Sequence, residues 1–311
     1  MELLEAVADK GYPLPYLAAR LKARRETLVR DWEARASSGE VSLPVGHPLG
    51  DDPDAGLLRQ HRWVYSQMNG RLRKAFWTYF FAHELATVHA CVRYRARPGK
   101  EDRVKRALAE SLLSRPMKKI LMEAESLPVV LDDLEGALRD SFAPEGLREA
   151  FREGGVRAVE ERVADAFYPF ALGAAGRGLL KPYFAYLIDA RNILHAHKRM
   201  RWPEAGKFSF IKGGSISGEK MALALERLDS DALRRLALRA AGLDEAGAPA
   251  DISVVLMRGL LKRFARGART AFDEGFVLAY LVERHAEAVN ARTVLRAAGF
   301  EPGQLAEELV V

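Results

Sequence analysis

The stretch Gly275-Phe276-Val277-Leu278-Ala279-Tyr280-Leu281-Val282-Glu283-Arg284-His285-Ala286-Glu287-Ala288-Val289-Asn290 decides the fold. It is long, free of proline and dense in apolar residues, and its period is helical. At about 100° per residue, Val294, Phe276, Tyr280 and Ala291 fall within about 40° of Glu287. The carboxylate therefore points into the apolar face, and Asn290 follows it three positions later. The same acid-x-x-Asn/Thr arrangement occurs twice more, as Glu84-Leu85-Ala86-Thr87 and Asp189-Ala190-Arg191-Asn192. The three copies begin 105 and 98 residues apart. Repetition at a near-constant period predicts one helical unit used three times. Each copy also carries a basic residue nine positions after the acid, Arg93, Lys198 and Arg296, on the opposite face where it is solvated.

Around Glu84 the wheel gathers Trp77, Phe80, Phe81, Val88 and Cys91, so this acid too faces a core. The stripe of the second copy, through Tyr183, Tyr186, Ile193 and Leu194, is centred away from Asp189 and leaves that acid at its margin. An unpaired buried carboxylate costs several kcal/mol, so each acid requires an Arg, a helix N-terminus or backbone N–H donors. Two readings stand side by side. Glu84 with Thr87, Asp189 with Asn192, and Glu287 with Asn290 are structural polar pairs that fix how helices cross, or they line a shared cavity that receives a partner.

Working outward, a basic helix is predicted over 14–36 and an irregular surface loop over 37–56, rich in Ser, Gly, Pro and Asp. Helices follow over 67–95, 101–114, 117–140 and 145–152, with a break at Gly154-Gly155. Further helices are predicted at 156–172, 180–200, 217–227, 229–241, 251–267 and 270–298. Trp202-Pro203 ends the second repeat helix, Phe208 opens a glycine-containing loop, and Glu301-Pro302-Gly303 opens a short final helix. The expected class is all-α, with a first lobe over 1–128, a second over 129–230 and a third over 231–311.

The chain has 311 residues, 49% hydrophobic and 29% charged, with a net charge of +6. That mix suits a globular helical protein, and the charge suits an anionic partner. Cys91 is the only cysteine, which removes any internal disulfide and fits a reducing compartment. The amino terminus lacks the basic and apolar regions of a signal peptide, and no stretch approaches the ~20 apolar residues of a membrane span. A cytoplasmic protein with at most peripheral membrane contact is expected.

Catalytic signals are poor. His83, Glu84 and His89 do not place two histidines at i and i+4, as a zinc helix requires. His195 and His197 point to different sides. Gly213 with Gly218-Glu219-Lys220 is only loosely like a phosphate loop, because Met221 stands where the magnesium-binding hydroxyl would be. No metal, cofactor or catalytic residue is assigned. Basic clusters at Arg20, Lys22, Arg24, Arg25 and Arg30, and at Arg95, Arg97, Lys100 and Arg103, lack the aromatic interleaving of a single-strand binder. A basic all-α nucleic-acid-binding protein is the alternative reading, and an enzyme with a novel site is a third.

Tyr183-Phe184-Ala185-Tyr186-Leu187-Ile188-Asp189-Ala190-Arg191-Asn192-Ile193-Leu194 followed by Phe208-Ser209-Phe210-Ile211-Lys212-Gly213-Gly214, and the 275–290 stretch followed by Glu307-Glu308-Leu309-Val310, give the chain a family likeness. It resembles the C subunit of V/A-type rotary ATPases, subunit d of vacuolar ATPases, over about 60–311. Segment 37–56 has no clear counterpart there, and Thr87 stands where the family usually carries Asn. The resemblance implies three similar lobes in a pseudo-threefold funnel. It implies a non-catalytic rotor subunit without cofactor, coupling the central stalk to the membrane proteolipid ring during ion transport. Its implied partners are central-stalk subunits of the D and F type and the proteolipid ring. The membrane stator subunit and anionic lipid headgroups are further candidates, and no nucleic acid is expected. The implied location is the cytoplasmic face of the membrane.

Overall fold

The computed structural model describes residues 2–8, 10–38, 42–99, 101–202, 209–265, 273–296 and 302–311, with the side chains of 302–304 not described. Lys100, Pro203, Phe208 and Glu301, invoked above, lie outside these residues, as do both expected ends of the third repeat helix. Among the described residues the structure is all-α, with fourteen helices and no strand. In chain order these are α1 (Leu14–Arg25), α2 (Trp32–Ser38), α3 (Pro53–Gln67), α4 (Gly70–Ala96), α5 (Glu101–Glu110), α6 (Arg115–Glu123) and α7 (Leu127–Leu138). They continue as α8 (Leu147–Ala174), α9 (Leu180–Arg201), α10 (Gly218–Glu226), α11 (Ser230–Ala241), α12 (Ile252–Phe264), α13 (Glu274–Arg296) and α14 (Pro302–Glu307).

The three repeat helices are α4, α9 and α13. Asn69 caps α4 by accepting from Leu72 N–H at 3.0 Å, satisfying a donor that the first turn leaves free. Other local expectations needed correction. The helix expected over 14–36 is two, α1 and α2. The irregular loop is shorter than 37–56, because Ser38 still ends α2 and Pro53 already opens α3, its fixed φ suiting a helix start. The helix expected over 117–140 is broken by Ala124-Glu125-Ser126, with Pro128 inside the first turn of α7. The expected break at Gly154-Gly155 is present: both residues leave helical φ/ψ, Gly155 with φ +65°, and divide the span given as α8 into two helical segments.

The chain forms two compact units, one of Met1–Pro13 with Leu58–Leu180, the other of Leu14–Leu57 with Lys181–Val311. In the first, the rings of Phe81, Phe142 and Phe167 lie 5.2–5.6 Å apart, the spacing of favourable aromatic packing. The amino-terminal residues run beside 112–114, with Glu5 N–H donating to Leu112 carbonyl and Ser114 N–H to Leu3 carbonyl.

In the second unit α13 is buried almost all round: Phe276 through Val282 are seven consecutive buried residues. That exceeds a one-sided stripe and marks a central helix. It packs against α1 and α12. Residues 14–57, placed by sequence beside the first repeat, therefore pack with the third. Trp32, Ala36 and Leu49 form one core cluster with Ala288, Ala291, Val294, Leu305 and Leu309.

Candidate functional site

The second copy shows the polar device most fully. Asp189 is 2% exposed. Its Oδ2 accepts from Ser215 N–H at 2.9 Å and its Oδ1 from Ile216 N–H at 3.0 Å. A Cβ on Gly214 would sit 2.1 Å from Oδ1, so only glycine lets the backbone close on the carboxylate. Burial raises the Asp189 pKa, opposed by these two N–H donors. Three residues on, Asn192 exchanges two hydrogen bonds with one backbone residue, donating to Ile211 carbonyl at 2.8 Å and accepting from its N–H at 2.9 Å. The wheel put Asp189 at the margin of the stripe; the loop over 211–216 folds across that margin and buries it.

The third copy repeats the amide half. Asn290 Nδ2 donates to Val310 carbonyl at 2.9 Å and Oδ1 accepts from Val310 N–H at 2.7 Å. Its acid, Glu287, is met from another part of the chain. Glu287 Oε1 accepts from Val29 N–H at 2.8 Å and lies 3.1 Å from His47 Nε2. Because His47 Nδ1 accepts from Leu49 N–H, the neutral ring carries its proton on Nε2 and donates to Glu287. The second oxygen takes a hydrogen bond from Arg284, which is fully buried and also donates to Arg24 carbonyl and to Thr27 Oγ1.

In the first copy Glu84 Oε1 accepts from Leu112 N–H at 2.7 Å. Thr87, buried beside the same carboxyl group, favours its charged form, and its short side chain does not supply the two-bond clamp of an asparagine. Among the described residues Oε2 is buried without a hydrogen-bond partner. Burial accordingly pushes the Glu84 pKa up to about 7, Leu112 N–H and Thr87 opposing it.

Each acid thus has backbone donors, in keeping with the cost of burying it. Sequence reasoning missed Val29, His47 and Arg284 as partners of Glu287. Arg284, three residues before Glu287 on the same helix, was the one partner local spacing could have revealed. Arg93, Lys198 and Arg296 are exposed. In the loop before α10, Ser215 and Ile216 direct their N–H groups at Asp189 and Gly214 makes room for the carboxylate, so this part of the loosely phosphate-like stretch serves an acid within the chain. Among the described residues no group of three or more His, Cys, Asp or Glu could hold a metal. What the three pairs can do is hold backbone segments against buried helices.

Residues 54–306 match the family model of the ATP synthase (C/AC39) subunit. The chain belongs to this V/A-type ATP synthase subunit family. No match was found among curated proteins. The C/AC39 match takes in all three polar pairs, whereas Val29 and His47, which complete the third, precede it. Among the described residues of this C/AC39 member, no helix is long and apolar enough to cross a membrane.

Proposed function

We propose that the chain is the non-catalytic rotor subunit that joins the central stalk to the membrane proteolipid ring, peripheral on the cytoplasmic face. The observation that carries this reading is the C/AC39 match across most of the chain, and with it the threefold reuse of one buried polar device. Three similar lobes set in a pseudo-threefold funnel follow from that repetition, with residues 14–57 joined to the third. A concave arrangement offers the roughly 1,200–2,000 Å² that a stable protein interface buries. The net charge of +6 favours acidic loops or anionic headgroups on one rim. The buried pairs are the architectural pins of the lobes, and torque passes through the body they stiffen.

The test is co-purification with the D- and F-type stalk subunits and with the proteolipid ring, alongside imaging of the isolated protein. Capture by both, with three lobes around an opening, is expected. Failure to bind either subunit class, or one continuous compact body, would sink the reading.

A further inference from the structure

The second unit contains a cleft of about 770 Å³ walled by the 25–32 connector, the 243–249 loop, α12, α13 and residues 310–311. That size is within the range of small-molecule sites. Four cations, Arg25, Arg30, Arg258 and Lys262, and three carboxylates, Asp244, Glu283 and Glu287, line it. Glu283 pairs with Arg25, and Glu287 with Arg284. Arg30, Arg258 and Lys262 form no ion pair among the described residues, although Glu33 acts on Arg258 through its charge. Asp244, on the loop, is an acid they face. Arg258 and Lys262 stand one turn apart on α12, where like charges repel, and burial lowers the Arg258 pKa.

The donors are also in excess. Arg258 directs Nε and Nη2 to the single carbonyl of Leu309, at 2.9 and 2.7 Å, which fixes the plane of the guanidinium and, among the described residues, leaves the Nη1 hydrogens unclaimed. Lys262 Nζ donates to Gly242 carbonyl at 2.7 Å, which among the described residues leaves two N–H bonds. Arg234 holds the loop wall by donating to the carbonyls of Ala248, Pro249 and Ala250, so the site is formed in advance. Apolar side chains, among them Leu28, Trp32 and Leu261, share the lining with these charged groups and Asn290.

We propose that this cleft binds an organic phosphate, a phosphate group on an apolar or aromatic body. The phosphate lies against Arg30, Arg258 and Lys262 and the body against Leu28, Trp32 and Leu261. Phosphate is rich in acceptors, matches a planar guanidinium bidentately and relieves the repulsion between Arg258 and Lys262. The body distinguishes this ligand from free phosphate. The source is either a soluble nucleotide or a lipid headgroup.

Calorimetry on the full chain would compare adenosine diphosphate, inorganic phosphate and phosphatidylcholine vesicles with and without phosphatidic acid. Saturable binding of the diphosphate or of the phosphatidic acid vesicles is expected, and whichever binds identifies the source. Arg30→Ala with Lys262→Ala should weaken it at least tenfold, while Lys220→Ala, an exposed cation on α10, should leave it unchanged. Absence of saturable binding to any of the probes, or equal binding by the double variant, overturns the site. Inorganic phosphate binding as tightly as the organic probes overturns the role of the apolar wall.

Discussion

The carboxamide of Asn290 behaves toward Val310 as a peptide group does toward a neighbouring strand, giving one hydrogen bond and taking one at 2.9 and 2.7 Å. Asn192 does the same to Ile211. All four residues involved are buried or nearly so. Replacing either asparagine by alanine strands a buried N–H and a buried carbonyl, and each unmet group costs about 1–3 kcal/mol. Urea unfolding should therefore show a loss of about 2–4 kcal/mol for Asn192→Ala and for Asn290→Ala. A loss below about 0.5 kcal/mol would mean that water reaches these carbonyls.

Removing Glu287 should be more damaging. Its carboxylate faces the fully buried Arg284, and taking away one member of a buried pair costs about 3–5 kcal/mol because the other charge remains. Glu287→Ala also frees Val29 N–H and His47 Nε2. The expected result is a large stability loss together with accelerated hydrogen exchange in residues 25–50. Exchange limited to α13 would show that the amino-terminal segment is held by other contacts.

Glu84 supplies a pH dependence of opposite kind to that of an ordinary acid. Below its usual value of 4.5 the carboxyl is protonated in both folded and unfolded chains and costs nothing. Between 4.5 and about 7 the unfolded chain has released a proton that the folded chain still holds, so stability falls as pH rises, and the penalty is complete above about 7. Glu84→Gln keeps an acceptor for Leu112 N–H. It should be nearly neutral at pH 4 and stabilising by on the order of 2–3 kcal/mol at pH 9. A pH-independent effect in urea titrations would refute the assignment.

His285 works the other way. Burial, aided by Arg292, lowers its pKa from 6.5 to about 4, with Asp54 opposing. Between those values the unfolded chain binds a proton that the folded chain refuses. Stability is therefore full above 6.5 and declines as pH falls toward 4. His285→Gln should flatten the acid side of the stability curve of the second unit. Hydrogen exchange in α13 at pH 5 and pH 7.5 measures it, and an unchanged slope would rule out His285 as the cause.

Gly259 is where α12 meets α11. A Cβ there would lie 2.4 Å from Ala241 Cα and 2.6 Å from the Tyr186 hydroxyl, which donates to Leu256 carbonyl. Gly259→Ala gains helix propensity, yet the overlap should dominate and lower stability by about 1–3 kcal/mol. Thermal melting of Gly259→Ala beside Gly136→Ala, whose Cβ would meet nothing within 4 Å, separates the clash from the propensity.

The parts of this fold that the sequence reveals are those governed by local rules. α4, α9 and α13 carry long apolar periods, and the acids of the first and third copies sit near the centre of their stripes. The division of 14–36 into α1 and α2 was hidden because the connector Glu26-Thr27-Leu28-Val29-Arg30-Asp31 has no Gly or Pro to mark a break, and the helix opening at Pro53 because the residues around it are turn-formers without period. The break at 124–126 was hidden for the opposite reason, since apolar residues continue on both sides. The burial of Asp189 depends on a loop some 26 residues downstream, and the partners of Glu287 at Val29 and His47 come from more than two hundred residues upstream. No window of local sequence contains such pairs. Asn69, Asp229 and Asp251, by contrast, each accept from a backbone N–H two or three residues on, and short-range spacing suffices to place such caps.

The closure of α13 by the amino-terminal segment sets an order of events during synthesis. Arg25 and Val29 leave the ribosome 258 residues before Glu283 and Glu287, to which they bond. At roughly 5–20 residues per second that interval is on the order of 10–50 s. Throughout it Val29 and Trp32 have no native partner from α13 to cover them, an interval long enough for a chaperone to bind and for chains on one polysome to exchange segments. Expression yield, more than equilibrium stability, is where substitutions in residues 14–57 will be felt.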